Sequence, residues 1–352
     1  SRNLGLGAAC SRPVQPAMED SAQAPNVDEI MACSFDRWYK DFQQVTFASH
    51  VLPLPEAFVQ FLQADGIRLP ARADNAGNDG SDSEWGDGGS DSEDSQGGAP
   101  EPSFPDVEEA VRHAIADLGG AVLPKLNWSA PKDARWVYGT LRCDTVDEVL
   151  TILKSSDFIA HDLHHSFDDC VNGGSLSRPD QFCLVLREWR SVDEGSEFRC
   201  FVNRGELLAI SQRHMSLFFP HLVDPECTGA TVQSIAAFFE EHLRQTFPLH
   251  RYAFDVLVGK PPRRKVRLVD FSPWAPSTDP LLFDWEELTA MPSSAVDPLA
   301  RPEFRAVKAE GEGRAKVENY HSLPLEVAEL GISSQQEIEE LCRRAEATIG
   351  TR

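Results

Sequence analysis

Two short apolar runs flank a tight polar turn in the second half of the chain. Residues 251–258 and 265–271 are rich in β-branched and aromatic residues, and Gly-Lys-Pro-Pro-Arg-Arg lies between them. Strands this close in sequence pair only as an antiparallel hairpin, because a parallel crossover needs about a dozen residues or more. This pattern excludes an all-helical fold and an all-parallel sheet.

The rest of the chain mixes strands with helices. Residues 197–202 and 207–211 predict a second hairpin, and residues 182–186 predict a buried strand. Residues 155–174 are predicted to form a loop. Hairpins combined with single helices indicate an α+β fold with antiparallel sheets. Apolar residues at helical spacing predict helices over 107–118, 145–153 and 232–243.

Composition divides the chain into three predicted parts. Residues 73–102 hold nine Asp and Glu and no Lys or Arg, so they bury too little apolar surface to offset their ordering entropy. We expect them to be a disordered acidic insertion within a folded domain of residues 33–290. Residues 1–32 are predicted to be a disordered extension, and residues 291–352 a C-terminal tail with a short helix over 334–345.

The whole chain is acidic, with 33 Lys and Arg against 56 Asp and Glu and a net charge of -23. Phosphate-rich partners need a basic surface, so we expect no direct binding to nucleic acid or to an anionic membrane. Eight dispersed cysteines without a Cys-x-x-Cys pair argue against structural zinc and against a disulfide scaffold. The chain also lacks an apolar run of transmembrane length and a signal-peptide pattern, so it predicts a cytoplasmic protein.

The hairpin of residues 251–271 carries two carboxylates that a regular register brings together. If the turn is symmetric, Asp255 lies opposite Asp270 with Cβ atoms about 4.5–5.5 Å apart, and Leu257 lies opposite Leu268. Two carboxylates this close need a proton or a cation, and Mg²⁺ prefers such oxygen ligands. Ser272 lies on the same face and could supply a further oxygen. The alternative is that a bulge breaks the register and leaves either carboxylate exposed.

Several other polar residues lie in strand-like or loop surroundings. Lys125 is either a phosphate ligand or an edge lysine whose ammonium reaches solvent. A solvated loop is the preferred interpretation of three histidines near Asp162, because no second cluster lies at metal-ligand spacing; the three are His161, His164 and His165. Three arginines either bind phosphate or pair with a nearby glutamate. These arginines are Arg187, Arg199 and Arg213, and the glutamates are Glu188, Glu194 and Glu197.

Several stretches of the chain, taken in order, resemble the cell division cycle protein 123 family. Lys125 to Pro131, with the sequence Lys-Leu-Asn-Trp-Ser-Ala-Pro, is the most specific of them. The acidic insertion with its single tryptophan also matches. The remaining matching stretches are 33–39, 51–55, 155–158, 184–187, 197–201, 210–213, 269–271, 281–287 and 323–327.

The resemblance implies an ATP-grasp-like fold with a nucleotide between two antiparallel sheets. It implies that Asp255, Asp270 and Ser272 hold Mg²⁺ on the ATP phosphates and that Lys125 binds phosphate. Arg187, Glu188 and Trp189 would form the hinge beside the adenine, and the loop after Lys125 would line the cleft. The residues that the resemblance assigns to ATP are Lys125, Asn127, Ser129, Ala130, Asp133, Arg187, Glu188, Trp189, Arg199, Arg213, Asp255, Asp270 and Ser272.

The chain departs from the family pattern at the metal site. The family typically has Asn where this chain has Ser272, and Gly where it has Ala275. Serine is shorter and offers no carbonyl-type oxygen, so the departure implies that Mg²⁺ is held there through water or less tightly.

The resemblance further implies an ATP- and Mg²⁺-binding assembly chaperone for eukaryotic translation initiation factor 2. It would be a monomer before it binds the γ subunit of that factor, and the tail of residues 291–352 would help to grip the partner. ATP would fix the two lobes relative to one another. The alternatives are a carboxylate–amine ligase that acts through an acylphosphate, and a scaffold that no longer binds ATP.

Overall fold

Two β-sheets form the framework of the residues that this computed structural model describes, which are 24–64, 103–173, 176–292 and 302–313. The first sheet contains β1 (Ser49–Pro53), β2 (Val122–Lys125) and β3 (Cys183–Glu188), in the order β1-β3-β2. The second contains β4 (Glu197–Asn203), β5 (Glu206–Gln212), β6 (Tyr252–Val258), β7 (Val266–Pro273) and β8 (Glu303–Arg305), in the order β7-β6-β4-β5-β8. The α+β prediction is confirmed. The predicted antiparallel pairing holds for every described pair of neighbouring strands except β5 and β8, which are parallel.

The predicted helices over 107–118, 145–153 and 232–243 are confirmed as α4 (Pro105–Asp117), α5 (Val146–Lys154) and the end of α7 (Pro225–Phe238), which continues into a π turn over Phe239–Leu243. Helix α5 begins at a capping box, because Thr145 Oγ accepts the Glu148 amide hydrogen and the Glu148 carboxylate accepts the Thr145 amide hydrogen. In the described residues, no helix combines the length and apolar character that a bilayer span requires. The α-helices are α1 (Val27–Ala32), α2 (Phe35–Phe42), α3 (Glu56–Gln63), α4 (Pro105–Asp117), α5 (Val146–Lys154), α6 (Asp157–His164), α7 (Pro225–Phe238) and α8 (Trp285–Ala290).

Helix α6 corrects the prediction of a loop over residues 155–174. Its first turn is capped by Ser156, whose hydroxyl accepts a hydrogen bond from the Ile159 amide at 3.2 Å. Ile159 and Leu163 are four residues apart and both buried, which gives the helix its apolar face. The many histidines and aspartates around this pair favoured the prediction of a loop. The Ser156 cap and the four-residue spacing of Ile159 and Leu163 are nevertheless typical of a helix.

The folded part of the chain extends past both predicted boundaries of the domain of residues 33–290. Helix α1 lies inside the predicted disordered extension of residues 1–32, and Trp128 Nε1 donates a hydrogen bond to its Ile30 carbonyl at 2.9 Å. Strand β8 lies inside the predicted tail, where the ring of Phe304 is 5.9 Å from that of Phe198. The acidic insertion of residues 73–102 and the predicted helix over 334–345 fall outside the described residues.

The two sheets belong to different core clusters that meet at β3. Leu184 and Leu186 pack with helices α3 to α6. Val185 projects from the opposite face of β3 and joins the cluster that α2 and α7 form with the five-stranded sheet. Because Val185 and Phe254 share that cluster, the inner face of the small sheet is held against the large one.

The β6–β7 hairpin confirms that Asp255 lies opposite Asp270. Beyond this pair the register shifts by one residue, because Val269 is an extra residue of β7. The predicted opposition of Leu257 and Leu268 is therefore wrong. Next to the turn, Val258 pairs with Val266, one residue off the symmetric register, and the bulge at Val269 restores that register at the carboxylates.

Candidate functional site

A row of polar side chains crosses the five-stranded sheet. Arg199 of β4 lies between Ser211 of β5 and Asp255 of β6, and Asp255 lies opposite Asp270 of β7. Residues directly opposite one another on neighbouring strands project from the same face, so these four side chains share it. The two hairpins thus bring together residues that are far apart in sequence.

Asp255 is buried and bound by an arginine fork. Arg199 donates from Nε and Nη2 to the two carboxylate oxygens, at 2.8 and 2.9 Å, and from Nη1 to the Asp279 carbonyl at 2.9 Å. Burial by itself would raise the pKa of Asp255, but Arg199, followed by Arg213, lowers that pKa to about 2. The carboxylate is therefore ionised at neutral pH.

Lys125 ends β2 and reaches from the small sheet to the large one. Its side chain is only 1% exposed, and its ammonium forms an ion pair with Asp270. The same ammonium lies 5.1 Å from the centre of the Phe35 ring. Burial lowers the pKa of Lys125, although Asp270 acts in the opposite direction. This burial excludes the interpretation of Lys125 as a solvated edge lysine.

Two further arginines are buried beside these pairs. Arg187 donates from Nη2 to the Val269 carbonyl at 2.7 Å, which the β7 bulge makes available. Arg213 Nε lies 3.5 Å from Asp255. Within the described residues, Arg187 Nε and both Nε and Nη1 of Arg213 are buried without a hydrogen-bond partner. Asp255, rather than one of the glutamates considered from sequence, is the ion-pair partner of Arg199.

The buried cations and carboxylates described above, together with Asp270, form a group of six residues that we call the charge cluster. The cluster has more positive than negative charge. Within this set four cations accompany two carboxylates, and a third carboxylate, Glu197, acts on three of the cations from beside it. Buried charge without a counter-ion is unfavourable, and guanidinium groups bind the oxygens of phosphate well. The arrangement is therefore suited to an anion with several oxygens. The cluster consists of Lys125, Arg187, Arg199, Arg213, Asp255 and Asp270.

The predicted metal ligands already have cationic partners. Lys125 and Arg199 supply the cations that the facing carboxylates require. Among the described residues, no three or more His, Cys, Asp or Glu side chains are grouped to hold a metal ion. Mg²⁺ commonly binds through one or two carboxylates together with water and substrate phosphates, so the donors present fit that mode alone. Ser272 lies two residues after Asp270 on the same strand and is half-buried.

Asn127 and Ala130 were predicted to line the cleft. Asn127 is fully buried, and its side-chain oxygen accepts the Cys183 amide hydrogen at 2.9 Å. Its side-chain nitrogen donates to Ser34 Oγ at 3.1 Å. The amide thus joins the loop after β2 to β3 and to the start of α2. The Ala130 carbonyl accepts a hydrogen bond from the Lys132 amide at 2.7 Å.

Ser129 and Asp133 also bind within the protein. The amide and hydroxyl of Ser129 both donate to Asp162 of α6, each at 2.8 Å. Asp133 accepts hydrogen bonds from the Ser156 hydroxyl and the Asp157 amide, each at 2.6 Å. Sequence reasoning considered Asp162 only beside the histidines, and missed its role in holding this loop because it missed α6. The histidines at 161 and 164 are exposed on the same helix.

Two of the three predicted hinge residues, Glu188 and Trp189, lie at the C-terminal end of β3, beyond Val185, the residue paired with Lys125. Glu188 accepts a hydrogen bond from Arg190 at 2.7 Å, and the Trp189 amide donates to the Ala121 carbonyl at 3.1 Å. Both residues are half-buried. The structure therefore places them at the end of the central strand of the small sheet, outside the charge cluster, whereas the third hinge residue, Arg187, lies within the cluster.

Comparisons with known proteins agree with one another. The translation initiation factor eIF2 assembly protein of Sclerotinia sclerotiorum is 35% identical over 351 residues, which cover 87% of this chain and 83% of that protein. Cell division cycle protein 123 of Aspergillus terreus is 37% identical over 350 residues, covering 93% of this chain and 79% of that protein.

A solved structure shares the fold. Cdc123 from Schizosaccharomyces pombe is 34% identical, with a TM-score of 0.65 over 81% of this chain and 98% of that one. The family model described as D123 matches residues 38–331. The family predicted from the sequence motifs is thereby confirmed, and the chain belongs to the D123 family.

Proposed function

We propose that this chain is an assembly factor for translation initiation factor eIF2 and that it binds ATP with Mg²⁺ between its two sheets. Relatives that are 35% and 37% identical to it over the aligned residues are named translation initiation factor eIF2 assembly protein, which supports the first part. The γ subunit as the direct partner, and an ATP-grasp-like arrangement of the domain, follow from the family resemblance. Translation initiation as the process implies a cytoplasmic location.

The excess positive charge of the charge cluster supports nucleotide binding. The triphosphate of ATP offers several anionic oxygens, and Arg187 and Arg213 have three buried N–H groups without acceptors. Leaving such groups unpaired costs about 1–3 kcal/mol each, so a polyphosphate gains affinity by satisfying them.

The proposed roles follow from position. Lys125, Arg187 and Arg213 bind phosphate, and Arg199 orients Asp255 through its fork. Asp255 and Asp270 hold Mg²⁺, with Ser272 contributing through water. The bound ion would neutralise phosphate charge and bring the phosphates to the carboxylates.

We further propose that ATP acts on the partner through the geometry of the two sheets. Lys125 belongs to the small sheet and Asp270 to the large one, so their ion pair links the two sheets. A phosphate that competes with Asp270 for Lys125 therefore weakens this link. ATP then alters affinity for the γ subunit by binding open and closed arrangements unequally. The segment after residue 291 adds contacts to the partner.

Calorimetric titration of ATP, with and without Mg²⁺, tests the site. We expect Lys125→Met to weaken ATP binding by at least about tenfold, because a charged hydrogen bond to phosphate is lost. Asp255→Ala should weaken the effect of Mg²⁺ on affinity. The control is Arg112→Met, an exposed arginine of α4. Equal affinity of Lys125→Met and wild type would reject the site, and equal response of Asp255→Ala to Mg²⁺ would reject the metal assignment.

The partner is tested with purified γ subunit. We expect a stable complex in gel filtration with ATP, weaker retention without ATP, and a monomer when the chain is run alone. Retention of the α or β subunit alone, with no retention of γ, would contradict the proposal.

A further inference from the structure

Asp162 is a buried carboxylate for which the proposed chemistry has no use. Its side chain lies on α6, it is 5% exposed, and both of its oxygens accept hydrogen bonds from Ser129 at 2.8 Å. Burial raises its pKa to about 6, against the lowering effect of the Ser129 hydrogen bonds. An uncharged residue would fill a purely structural position at lower cost. The carboxylate therefore calls for a specific explanation.

The contacts of Ser129 lead from Asp162 towards the charge cluster. The Ser129 carbonyl accepts a hydrogen bond from the Leu126 amide at 2.9 Å, which closes the turn after β2. Leu126 directly follows Lys125, whose ammonium pairs with Asp270. One carboxylate on α6 therefore helps to fix the path of the chain at the residue next to the buried lysine, together with the hydrogen bonds of Asn127.

The same helix holds the loop at a second point. Asp133 accepts hydrogen bonds from the Ser156 hydroxyl and from the amides of Asp157 and Phe158, at the first turn of α6. The segment from Ser129 to Asp133 is thus fixed at both ends to one rigid helix. Side chains supported by a helix are held more accurately than side chains on a free loop.

We infer that Asp162 is a positioning residue for the nucleotide site, which fixes the Leu126–Ser129 turn and thereby holds Lys125 at the junction of the two sheets. This inference rests on the proposed function, because it assigns Asp162 to the support of a phosphate ligand. It also accounts for the polar residues that the family resemblance places at the nucleotide. Ser129 and Asp133 support the site through α6.

Two substitutions at one position separate geometry from charge. Asn can accept the Ser129 amide hydrogen through Oδ1 and donate to the Ser129 hydroxyl through Nδ2, so Asp162→Asn preserves both bonds. Asp162→Ala removes both. We expect Asp162→Ala to weaken MgATP binding by about ten- to hundredfold and Asp162→Asn by less than about threefold. Ser129→Ala, which loses only the hydroxyl bond, should lie between them, and exposed Asp169→Ala is the control.

Calorimetry of MgATP binding should be run well below the unfolding temperature of each variant, so that the affinity refers to folded protein. Hydrogen exchange of the Leu126 amide is measured in parallel, without nucleotide, and should be about tenfold faster in Asp162→Ala. A folded Asp162→Ala with wild-type affinity overturns the inference, as does an Asp162→Asn that is as weak as Asp162→Ala. If Asp162→Ala does not fold, unchanged affinity in Ser129→Ala overturns it.

The two proposals fail in different ways. Wild-type protein that binds no MgATP refutes the proposed nucleotide site and the role of Asp162 in it. Normal MgATP binding by wild type, with unchanged exchange and affinity in the Asp162 variants, refutes the positioning role alone.

Discussion

Asp255 and Asp162 are equally buried, at 5% exposure each, yet their carboxyl groups behave in opposite ways. The pKa of Asp255 is lowered to about 2, whereas that of Asp162 is raised to about 6. Burial raises the pKa of both carboxyl groups. Asp255 has the Arg199 fork and Arg213 nearby, while Asp162 has two hydrogen bonds from the neutral groups of Ser129.

The difference shows that neutral donors do not replace a counter-ion at this depth. Two good hydrogen bonds leave Asp162 with a raised pKa, while a bidentate arginine reverses the effect of burial on Asp255. Asp255 therefore adds to the stability of the native state at neutral pH, and Asp162 reduces it. Substitution by Asn at the two positions should therefore change the free energy of unfolding at neutral pH in opposite directions.

The largest expected effect is at Asp255. Asp255→Asn leaves Arg199 and Arg213 buried without their counter-charge, which should lower the free energy of unfolding by about 3–5 kcal/mol. Urea unfolding at pH 7 without nucleotide measures this loss, with exposed Asp169→Asn as the control. A loss below about 1 kcal/mol would show that water or another group neutralises the arginines, and would remove the contrast with Asp162.

The next effect concerns the pH dependence of stability at Asp162. Its pKa is raised in the folded state. The protonated carboxyl therefore contributes to the free energy of unfolding below about pH 4, and this contribution is lost as pH rises through about 6. Asn does not ionise, so the stability of Asp162→Asn relative to wild type should rise by about 2.5 kcal/mol between pH 4 and pH 7.5. The Ser129 hydrogen bonds, and then Lys125 and the neighbouring His161, oppose the rise in pKa. Urea unfolding across this range tests it, and a flat difference between the two proteins would contradict it.

The smallest effect is expected at Asp133, a half-buried carboxylate that also has only neutral donors. Asp133→Ala removes the acceptor for the first turn of α6, and a lost helix cap costs about 0.5–2 kcal/mol. Thermal unfolding checks the loss, and Asp133→Asn should recover part of it. A loss as large as that of Asp255→Asn would show that a carboxylate with neutral donors can matter to stability as much as one with an arginine counter-ion.

The sequence predicted much of the framework because its signals were local. The hairpin register placed Asp255 opposite Asp270, and helical spacing with the cap at Thr145 placed α5. The bulge at Val269 was not predictable from a symmetric turn, since it depends on how β7 packs. Strand β8 is three residues long and pairs with a segment about ninety residues earlier, which no local pattern records.

The candidate site was predicted less completely, for a physical reason. Residue type identified Lys125 and Arg213 as cations in strand-like surroundings, and both are buried in the charge cluster. Residue type cannot tell a side chain that binds a ligand from one that supports the backbone, as Asn127 does through Cys183 and Ser34. That distinction depends on which donors and acceptors are already used within the fold.

Strand β8 covers the outer edge of β5 over Ala209–Ser211. Without it, β5 would be the outer strand of the large sheet, and its unpaired backbone groups would be a template for another chain. Arg305 fastens the short strand by its ion pair with Glu287 and its stacking over Phe283, 4.1 Å from the ring centre. A chain cut before Pro302 would therefore leave the outer edge of β5 free to pair with a strand of another chain. Fragments prepared for biochemical work should retain the residues through Val307.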